Sequence, residues 1–170
     1  QRQMCIRDRS IQKALVSLET GFSGLDQIFN LNTKQIRKKL KENIPNKILL
    51  VGEAIRKNIN LKEINKLSKI DPWFLNQIKE IIQNEIKIKK KGLPNSFNEF
   101  NYVKSIGFSD KKLSELTNIS ESLIRKKRAA LKVLPVYKKV DTCAAEFKSF
   151  TPYMYSTYQR NFSSNSECEA

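Results

Sequence analysis

The chain has 170 residues, which is room for one domain, or for one domain with fragments of its neighbours. It contains no histidine, so it can form neither a Ser-His-Asp nor a Cys-His catalytic arrangement, and it lacks the commonest metal ligand. The hydrophobic fraction of 39% includes no apolar run near the roughly 20 residues that a membrane helix needs.

The net charge of +15 has two explanations. A strongly basic chain can bind nucleic acid or an acidic membrane surface. Lysine, isoleucine and asparagine are all abundant, however, as an AT-rich coding sequence would produce without selection for binding. The lysines are also spread along the chain, which favours a solvated surface over a binding patch.

The three cysteines, Cys5, Cys143 and Cys168, form no CxxC pair. We therefore expect no disulfide framework and no zinc site, and the composition fits a reducing, cytoplasmic setting. Cys143 is interpreted as a small buried residue at a domain junction.

Residues 1–9 differ in composition from the rest of the chain. They hold three arginines and no lysine, whereas five arginines and 24 lysines follow from Ser10 onward. We interpret residues 1–9 as a foreign scar or artefact and leave them out of the fold prediction. Residues 10–18 are then predicted to be the end of a helix, and Gly21 could end it by adopting a positive φ.

Residues 22–135 carry the signals of successive short helices. The predicted N-caps, in chain order, are Thr33, Asn46, Asn60, Asp71, Ser96, Ser109 and Ser120. The first of these helices is expected to end near Glu42. The apolar run from Ile48 to Ile55 predicts a core helix, although a buried strand has the same pattern.

The strongest helix signal is Asp71-Pro72, an N-cap followed by proline at the first helical position. This helix should run to about Lys91 and stop at Gly92. Its apolar stripe is expected to comprise Phe74, Leu75, Ile78, Ile81, Ile82, Glu85 and Ile86. Trp73 lies beside the stripe, and we expect it to bury most of its ring.

The chain contains an internal repeat, because residues 60–75 align with residues 109–124 at a constant offset of 49. Ile64 pairs with Leu113, and the cap Asn60 pairs with Ser109. Each copy is predicted to be a short helix, a turn and a second helix. The fold class is therefore all-α, a compact bundle of two related helical hairpins.

A helix-turn-helix DNA-binding protein is the alternative function. The second helix of the second copy carries Arg125-Lys-Lys-Arg128, which could neutralise phosphates or recognise guanine edges. Against this, the matching helix from Asp71 is acidic and apolar where bases would be contacted. A solvated basic face on an amphipathic helix explains the same residues.

After Pro135 the composition changes, and residues 136–140 and 153–158 are rich in aromatic and β-branched residues. They are predicted to be strands at the beginning of another domain. Several runs of the chain fall in one order with compatible spacing. These are Ser17-Leu-Glu-Thr-Gly21, Ile70-Asp-Pro-Trp-Phe-Leu75, Lys104-Ser-Ile-Gly-Phe-Ser-Asp110, Pro135-Val-Tyr-Lys-Lys-Val-Asp-Thr-Cys-Ala-Ala-Glu-Phe147, Tyr153-Met-Tyr-Ser-Thr-Tyr158 and Glu167-Cys-Glu-Ala170.

Together these runs resemble the oligomerisation region of the carbamoyl phosphate synthetase family, in its large subunit. The resemblance implies a domain order: residues 10–21 end the first ATP-grasp half, residues 22–135 form the helical connecting domain, and residues 136–170 lead into a missing second half. Residues 159–166 are slightly longer than the family pattern, which predicts a small loop insertion.

The resemblance also implies the function. Enzymes of this family make carbamoyl phosphate from bicarbonate, glutamine-derived ammonia and two ATP, for arginine and pyrimidine synthesis. ATP and Mg²⁺ (or Mn²⁺) are used by the two halves, and the implied partners are those halves, other large subunits and a glutaminase small subunit. No membrane is implied, and nucleic acid is disfavoured.

This chain has only five glycines and no phosphate-cradling pattern, so no catalytic, cofactor-binding or metal-binding residue is predicted in it. The residues of interest are instead apolar ones that could serve in the core or at an interface. They are Trp73, Phe74, Leu75, Ile78, Leu116, Leu123 and Ile124. For Trp73 and Phe74 we expect burial in the core, and an exposed interface anchor is the alternative.

Overall fold

Local sequence signals determine most of the helix boundaries. The computed structural model describes residues 7–17, 21–27, 30–140 and 153–158, and these residues form eight helices followed by one pair of strands. The helices are α1 (Arg7–Ser17), α2 (Thr33–Leu40), α3 (Lys47–Arg56), α4 (Leu61–Ser68), α5 (Pro72–Lys91), α6 (Phe97–Ser105), α7 (Asp110–Thr117) and α8 (Glu121–Ala130). The prediction of an all-α bundle with a short C-terminal β segment is confirmed.

The two strands, β1 (Val136–Val140) and β2 (Tyr153–Thr157), form an antiparallel pair in which Val136 lies opposite Thr157. The predicted junction residues 141–147, including Cys143, lie outside the described residues, as do Cys5 and Cys168. Helix α1 begins at Arg7, three residues inside the segment interpreted as foreign. The domain boundaries drawn from the sequence remain predictions.

Four predicted N-caps accept a hydrogen bond from a backbone amide of the helix they open. They are Asn60, Asp71, Ser96 and Ser109. Asn46 and Ser120 occupy the predicted cap positions, but their side chains make no cap hydrogen bond. The positions of these helices are therefore encoded close to their first residues.

The predicted cap of α2 was wrong, because the cap is Asn32 and not Thr33. The Asn32 side chain accepts from the Gln35 amide, and the Asn32 amide donates to the Gln35 side chain, both at 2.9 Å. This reciprocal pair is a capping box, and it satisfies the backbone amides of both residues. A cap at Thr33 would place Ile36 at the third helical position, which has no acceptor to return. The helix also ends at Leu40, before the expected Glu42.

The ambiguous run from Ile48 to Ile55 is helical. Helix α3 is buried over Leu49–Ile55, and it contacts α2, α4 and α5. A helix enclosed on several sides has apolar residues all round, so its sequence shows no clear helical period. This explains why a buried strand was an equally good match to the pattern.

Helix α5 has the predicted bounds, with Gly92 following at a φ of +79°. Its inward face comprises Leu75, Ile78, Ile81, Ile82, Glu85 and Ile88. Two residues of the predicted stripe, Phe74 and Ile86, are exposed instead. The last inward-facing residue of the stripe is Ile88, three residues after Glu85, and not Ile86 as predicted.

The internal repeat is present in the structure and is longer than the sequence comparison indicated. Positive φ angles occur at Asn58 and Gly107, and again at Lys69 and Asn118, each pair 49 residues apart. The backbone hydrogen bond from Ile59 to Ala54 recurs from Phe108 to Val103 at the same offset.

Each copy is therefore a three-helix unit. The first repeat unit comprises α3, α4 and α5, and the second repeat unit comprises α6, α7 and α8. Both begin with the same dipeptide, Pro45-Asn46 and Pro94-Asn95. The two units contribute to one hydrophobic core, in which the equivalent residues Leu75 and Ile124 are both fully buried.

Candidate functional site

Four of the predicted site residues belong to the core. Leu75, Ile78, Leu116 and Ile124 are all buried. They stabilise the packing of the repeat units, and their side chains are too buried in this chain to contact a partner protein.

The other three predicted residues lie at the surface. The exposed fractions of Trp73, Phe74 and Leu123 are 36%, 48% and 55%. The expectation that Trp73 and Phe74 are buried in the core was wrong. Residues 71–74 are all exposed, so the first turn of α5 lies outside the packed part of the bundle.

These exposed apolar residues are organised. The rings of Trp73 and Phe74 meet edge to face, with centroids 4.7 Å apart and an interplanar angle of 90°. Phe74 and Leu123 occupy equivalent repeat positions, 49 residues apart. Each repeat unit therefore presents a large apolar side chain at this position in the first turn of its last helix, which suits an interface anchor.

A buried ionic cluster joins the first repeat unit to the loop that follows α1. Arg56 lies 2.7 Å from Glu85 and 3.7 Å from Glu53, and all three side chains are nearly inaccessible to solvent. Arg56 also donates to the Leu25 carbonyl. A buried cation of this kind is tolerated because its carboxylate partners are buried with it.

The same loop is tied to the second repeat unit by Asp26. Its carboxylate pairs with Lys112 of α7 and accepts hydrogen bonds from the amide and hydroxyl of Ser23. The Ser23 hydroxyl oxygen also lies 2.5 Å from a Glu115 carboxylate oxygen, so its single proton is shared between the Asp26 and Glu115 carboxylates. Burial acts to raise the pKa of Asp26, but the Lys112 and Ser23 contacts together hold it below its ordinary value.

A third cluster lies where the second repeat unit meets β2. Asp110 accepts from Lys104 at 2.8 Å and lies 3.3 Å from Arg128. Lys104 is 5.3 Å from the ring centroid of Tyr158, and the Arg128 guanidinium carbon is 6.0 Å from it. Burial lowers the pKa of Lys104, against the opposing effect of Asp110. Burial raises the pKa of Tyr158.

Helix α1 also contacts this region. Gln12 donates to the Ile106 carbonyl at 3.3 Å, and Lys13 donates to the Ser156 carbonyl of β2 at 3.1 Å. A Cβ atom at Gly24 would lie 2.8 Å from the Gln12 side chain, so the loop after α1 packs closely against this helix. Sequence reasoning missed these contacts because the partners are far apart in the chain.

The first repeat unit carries an open cleft between α3, α4 and α5. Its volume is about 570 Å³. It is lined by Ile55, Asn58, Ile59, Asn60, Leu61, Lys62, Asn65, Pro72, Asn76 and Lys79. The cleft lies beside the exposed aromatic pair, because Pro72 and Asn76 flank Trp73 and Phe74 on α5.

The basic run of α8 is largely engaged within the domain. Arg125 pairs with Glu121 at 2.7 Å, Lys127 donates to Asn95 at 2.6 Å, and Arg128 pairs with Asp110. These contacts fit a structural role better than contact with bases or phosphates.

The described residues carry neither a membrane-spanning helix nor a cluster of metal ligands. No helix among them is long and apolar enough to cross a membrane. In the same part of the chain, no group of three or more histidine, cysteine, aspartate or glutamate residues is placed to hold a metal ion.

Comparison with known proteins identifies the family. The family described as "Carbamoyl-phosphate synthetase large chain, oligomerisation domain" matches residues 7–132. The chain belongs to this family. Its helical bundle, with both repeat units, is therefore an oligomerisation domain of the carbamoyl-phosphate synthetase large-chain type.

Curated relatives agree with the family match. The chain is 45% identical over 165 residues to the carbamoyl phosphate synthase large chain of Haemophilus ducreyi, and 42% identical over 167 residues to that of Brucella melitensis. Each alignment covers 95% of this chain but 14% of the relative. The chain thus spans about one seventh of the length of these relatives, and the comparisons give no support to the DNA-binding alternative.

Proposed function

We propose that this chain is the non-catalytic connecting and oligomerisation domain of a cytoplasmic carbamoyl phosphate synthase large chain. The parent protein makes carbamoyl phosphate from bicarbonate, glutamine-derived ammonia and two ATP, for arginine and pyrimidine synthesis. Two flanking ATP-grasp halves bind the ATP with Mg²⁺ or Mn²⁺, and a glutaminase small subunit supplies the ammonia. The domain holds the halves in position and contacts other large subunits.

One observation carries this proposal: the two flanks of the bundle meet. Lys13 in α1 and Ser156 in β2 are 143 residues apart in sequence and joined by a hydrogen bond of 3.1 Å. Both flanks also pack on the same helical bundle. Because packed interiors do not deform continuously, we expect α1 and β2 to keep one relative position, which supports a connecting role.

The test of the proposal is the coding DNA downstream of Ala170, read in the same frame. We expect a long continuation that begins a glycine-rich ATP-grasp unit. A stop codon directly after Ala170 would contradict the proposal, because the second half would then be absent. As a second check, the purified chain should hydrolyse no ATP above the buffer rate, and turnover that copurifies with it would overturn the non-catalytic role.

The exposed apolar residues are proposed as anchors of the contact between large subunits. Trp73, Phe74 and Leu123 supply aromatic and aliphatic surface of the kind that dominates interface energetics. Sedimentation velocity on the chain over a range of concentrations should show self-association. The double variant Trp73→Ser, Phe74→Ser should reduce it strongly.

Ile86→Ser is the matched control, because Ile86 is also an exposed apolar residue of α5 but lies away from the first turn. It should leave the association unchanged. Equal loss of association in both variants would argue against a specific contact at the first turn.

A further inference from the structure

The two repeat units differ in what they hold. The second repeat unit contacts both flanks of the chain. On the N-terminal side, the Ile106 carbonyl accepts a hydrogen bond from Gln12 of α1, and Lys112 pairs with Asp26 of the following loop. On the C-terminal side, Lys104 and Arg128 lie near the ring of Tyr158, which follows β2. Both flanks of the domain therefore contact the second repeat unit. The first repeat unit also contacts the N-terminal flank, through α1 and the Arg56–Leu25 hydrogen bond.

Repeat equivalence shows which residues create this difference. Lys104, Asp110 and Arg128 correspond, at the offset of 49, to Ile55, Leu61 and Lys79. All three equivalents line the open cleft of the first repeat unit. We call the site formed by Lys104, Asp110 and Arg128 the Tyr158 seat. It is the equivalent of part of the open cleft: the second repeat unit has a buried ion pair where the first has the apolar side chains of Ile55 and Leu61.

The chemistry of the seat suits an aromatic ring. Asp110 accepts from Lys104 at 2.8 Å, and Lys104 also donates to the Phe108 carbonyl at 2.8 Å, so this ammonium is oriented by contacts that do not involve the ring. Arg128 is fixed in a similar way by Asp110 and by the Val133 carbonyl at 3.2 Å. Two oriented cations near one ring give attraction and direction, since a cation is drawn to the ring face.

We propose that the Lys104–Asp110–Arg128 cluster is a docking site for Tyr158, and that Tyr158 is the positioning residue that fixes the C-terminal strand pair on the second repeat unit. The Lys13–Ser156 hydrogen bond then sets that strand pair against α1. This inference rests on the proposed connecting function, and it assigns the joint between the two flanks to one of the two repeat units.

Hydrogen exchange of the whole chain tests the proposal. Tyr158→Ala should raise the exchange rates of the β1 and β2 amides by about tenfold, because the ring and both cation contacts are lost. The amides of α3, α4 and α5 should keep their rates, which shows that the bundle remains folded. Tyr158→Phe keeps the ring and should stay within about threefold of the unchanged chain.

The repeat supplies a matched control for the cations. Arg128→Ala should also raise exchange in β1 and β2, whereas Lys79→Ala, its equivalent in the first repeat unit, should not. Unchanged strand exchange in Tyr158→Ala, or equal effects of Arg128→Ala and Lys79→Ala, would overturn the docking site. Neither result bears on the family or on the continuation of the reading frame, so failure of the joint is distinguishable from failure of the proposed function.

Discussion

The two repeat units share a backbone and differ in their polar interior. Both have a left-handed residue after the first and second helix at equivalent positions, Asn58 and Gly107, then Lys69 and Asn118. The first unit buries Arg56 with two carboxylates against the loop after α1. The second buries Lys104 with Asp110 beneath Tyr158. The two units thus share backbone geometry, whereas their buried cations Arg56 and Lys104 lie against different neighbours, the loop after α1 and Tyr158.

Removing the buried cation of the first unit is the strongest test of this difference. Arg56→Ala removes the buried cation that Glu53 and Glu85 share and leaves each carboxylate with one lysine that is more exposed, Lys57 at 3.9 Å or Lys89 at 3.7 Å. We expect a loss of about 3 kcal/mol in the free energy of unfolding. Urea denaturation followed by circular dichroism measures the loss. Arg37→Ala, which breaks the exposed pair with Glu63, is the control and should change the midpoint little. Equal effects would mean that burial of the Arg56 cluster contributes nothing.

A second test asks whether the two units contribute equally to the core. Leu75 and Ile124 are equivalent residues, and both are fully buried. Leu75→Ala and Ile124→Ala should each lower the free energy of unfolding by about 2–5 kcal/mol, because each removes buried methyl groups and leaves a cavity. The measurement is again urea denaturation, which also gives the slope of the unfolding free energy against urea concentration. A single transition with the same slope in both variants is expected, and two separate transitions would show that the units unfold independently.

Phe74 and Leu123 are also equivalent residues, but they are exposed, so truncating them should change the free energy of unfolding much less. Phe74→Ala and Leu123→Ala remove side chains that are about half exposed, so each should cost about 1 kcal/mol or less. Thermal unfolding at low protein concentration, where association is weak, isolates this effect. A loss of several kcal/mol in Phe74→Ala would restore the core role that the sequence predicted for Phe74, and the same loss in Leu123→Ala would assign Leu123 to the core.

The sequence predicted what depends on neighbours along the chain. Asp71-Pro72 and Gly92 fixed both ends of α5, because caps and stops act within a few residues. The exposure of Trp73 could not be predicted in this way, since it depends on which distant elements cover the first turn of α5. The equivalence of α3 and α6 was also hidden. Pairs such as Val51 and Phe100 share burial but not identity.

The Tyr158 seat was beyond sequence reasoning for the same reason. Lys104, Arg128 and Tyr158 are spread over 54 residues and belong to three different elements or their flanks. Nothing in the pattern of any one segment marks them as partners. The offset of 49 could have predicted that the two units have equivalent sites. Only the position of Tyr158 in the structure shows that the site of the second unit is occupied.

The smallest expected effect concerns Asp26, which ties the loop after α1 to the second unit. Because its folded pKa lies below the ordinary value of 3.8, Asp26 contributes stability above that pH, and the contribution is lost as the pH falls through the folded pKa. Asp26→Asn should therefore lower stability near neutral pH and flatten the decline of stability below about pH 4. Urea denaturation at a series of pH values from neutral to acid measures both. A variant whose acid decline is as steep as that of the unchanged chain would mean that Asp26 does not carry the linkage, and that other contacts of the loop, such as Arg56–Leu25 and Ser23–Glu115, hold it.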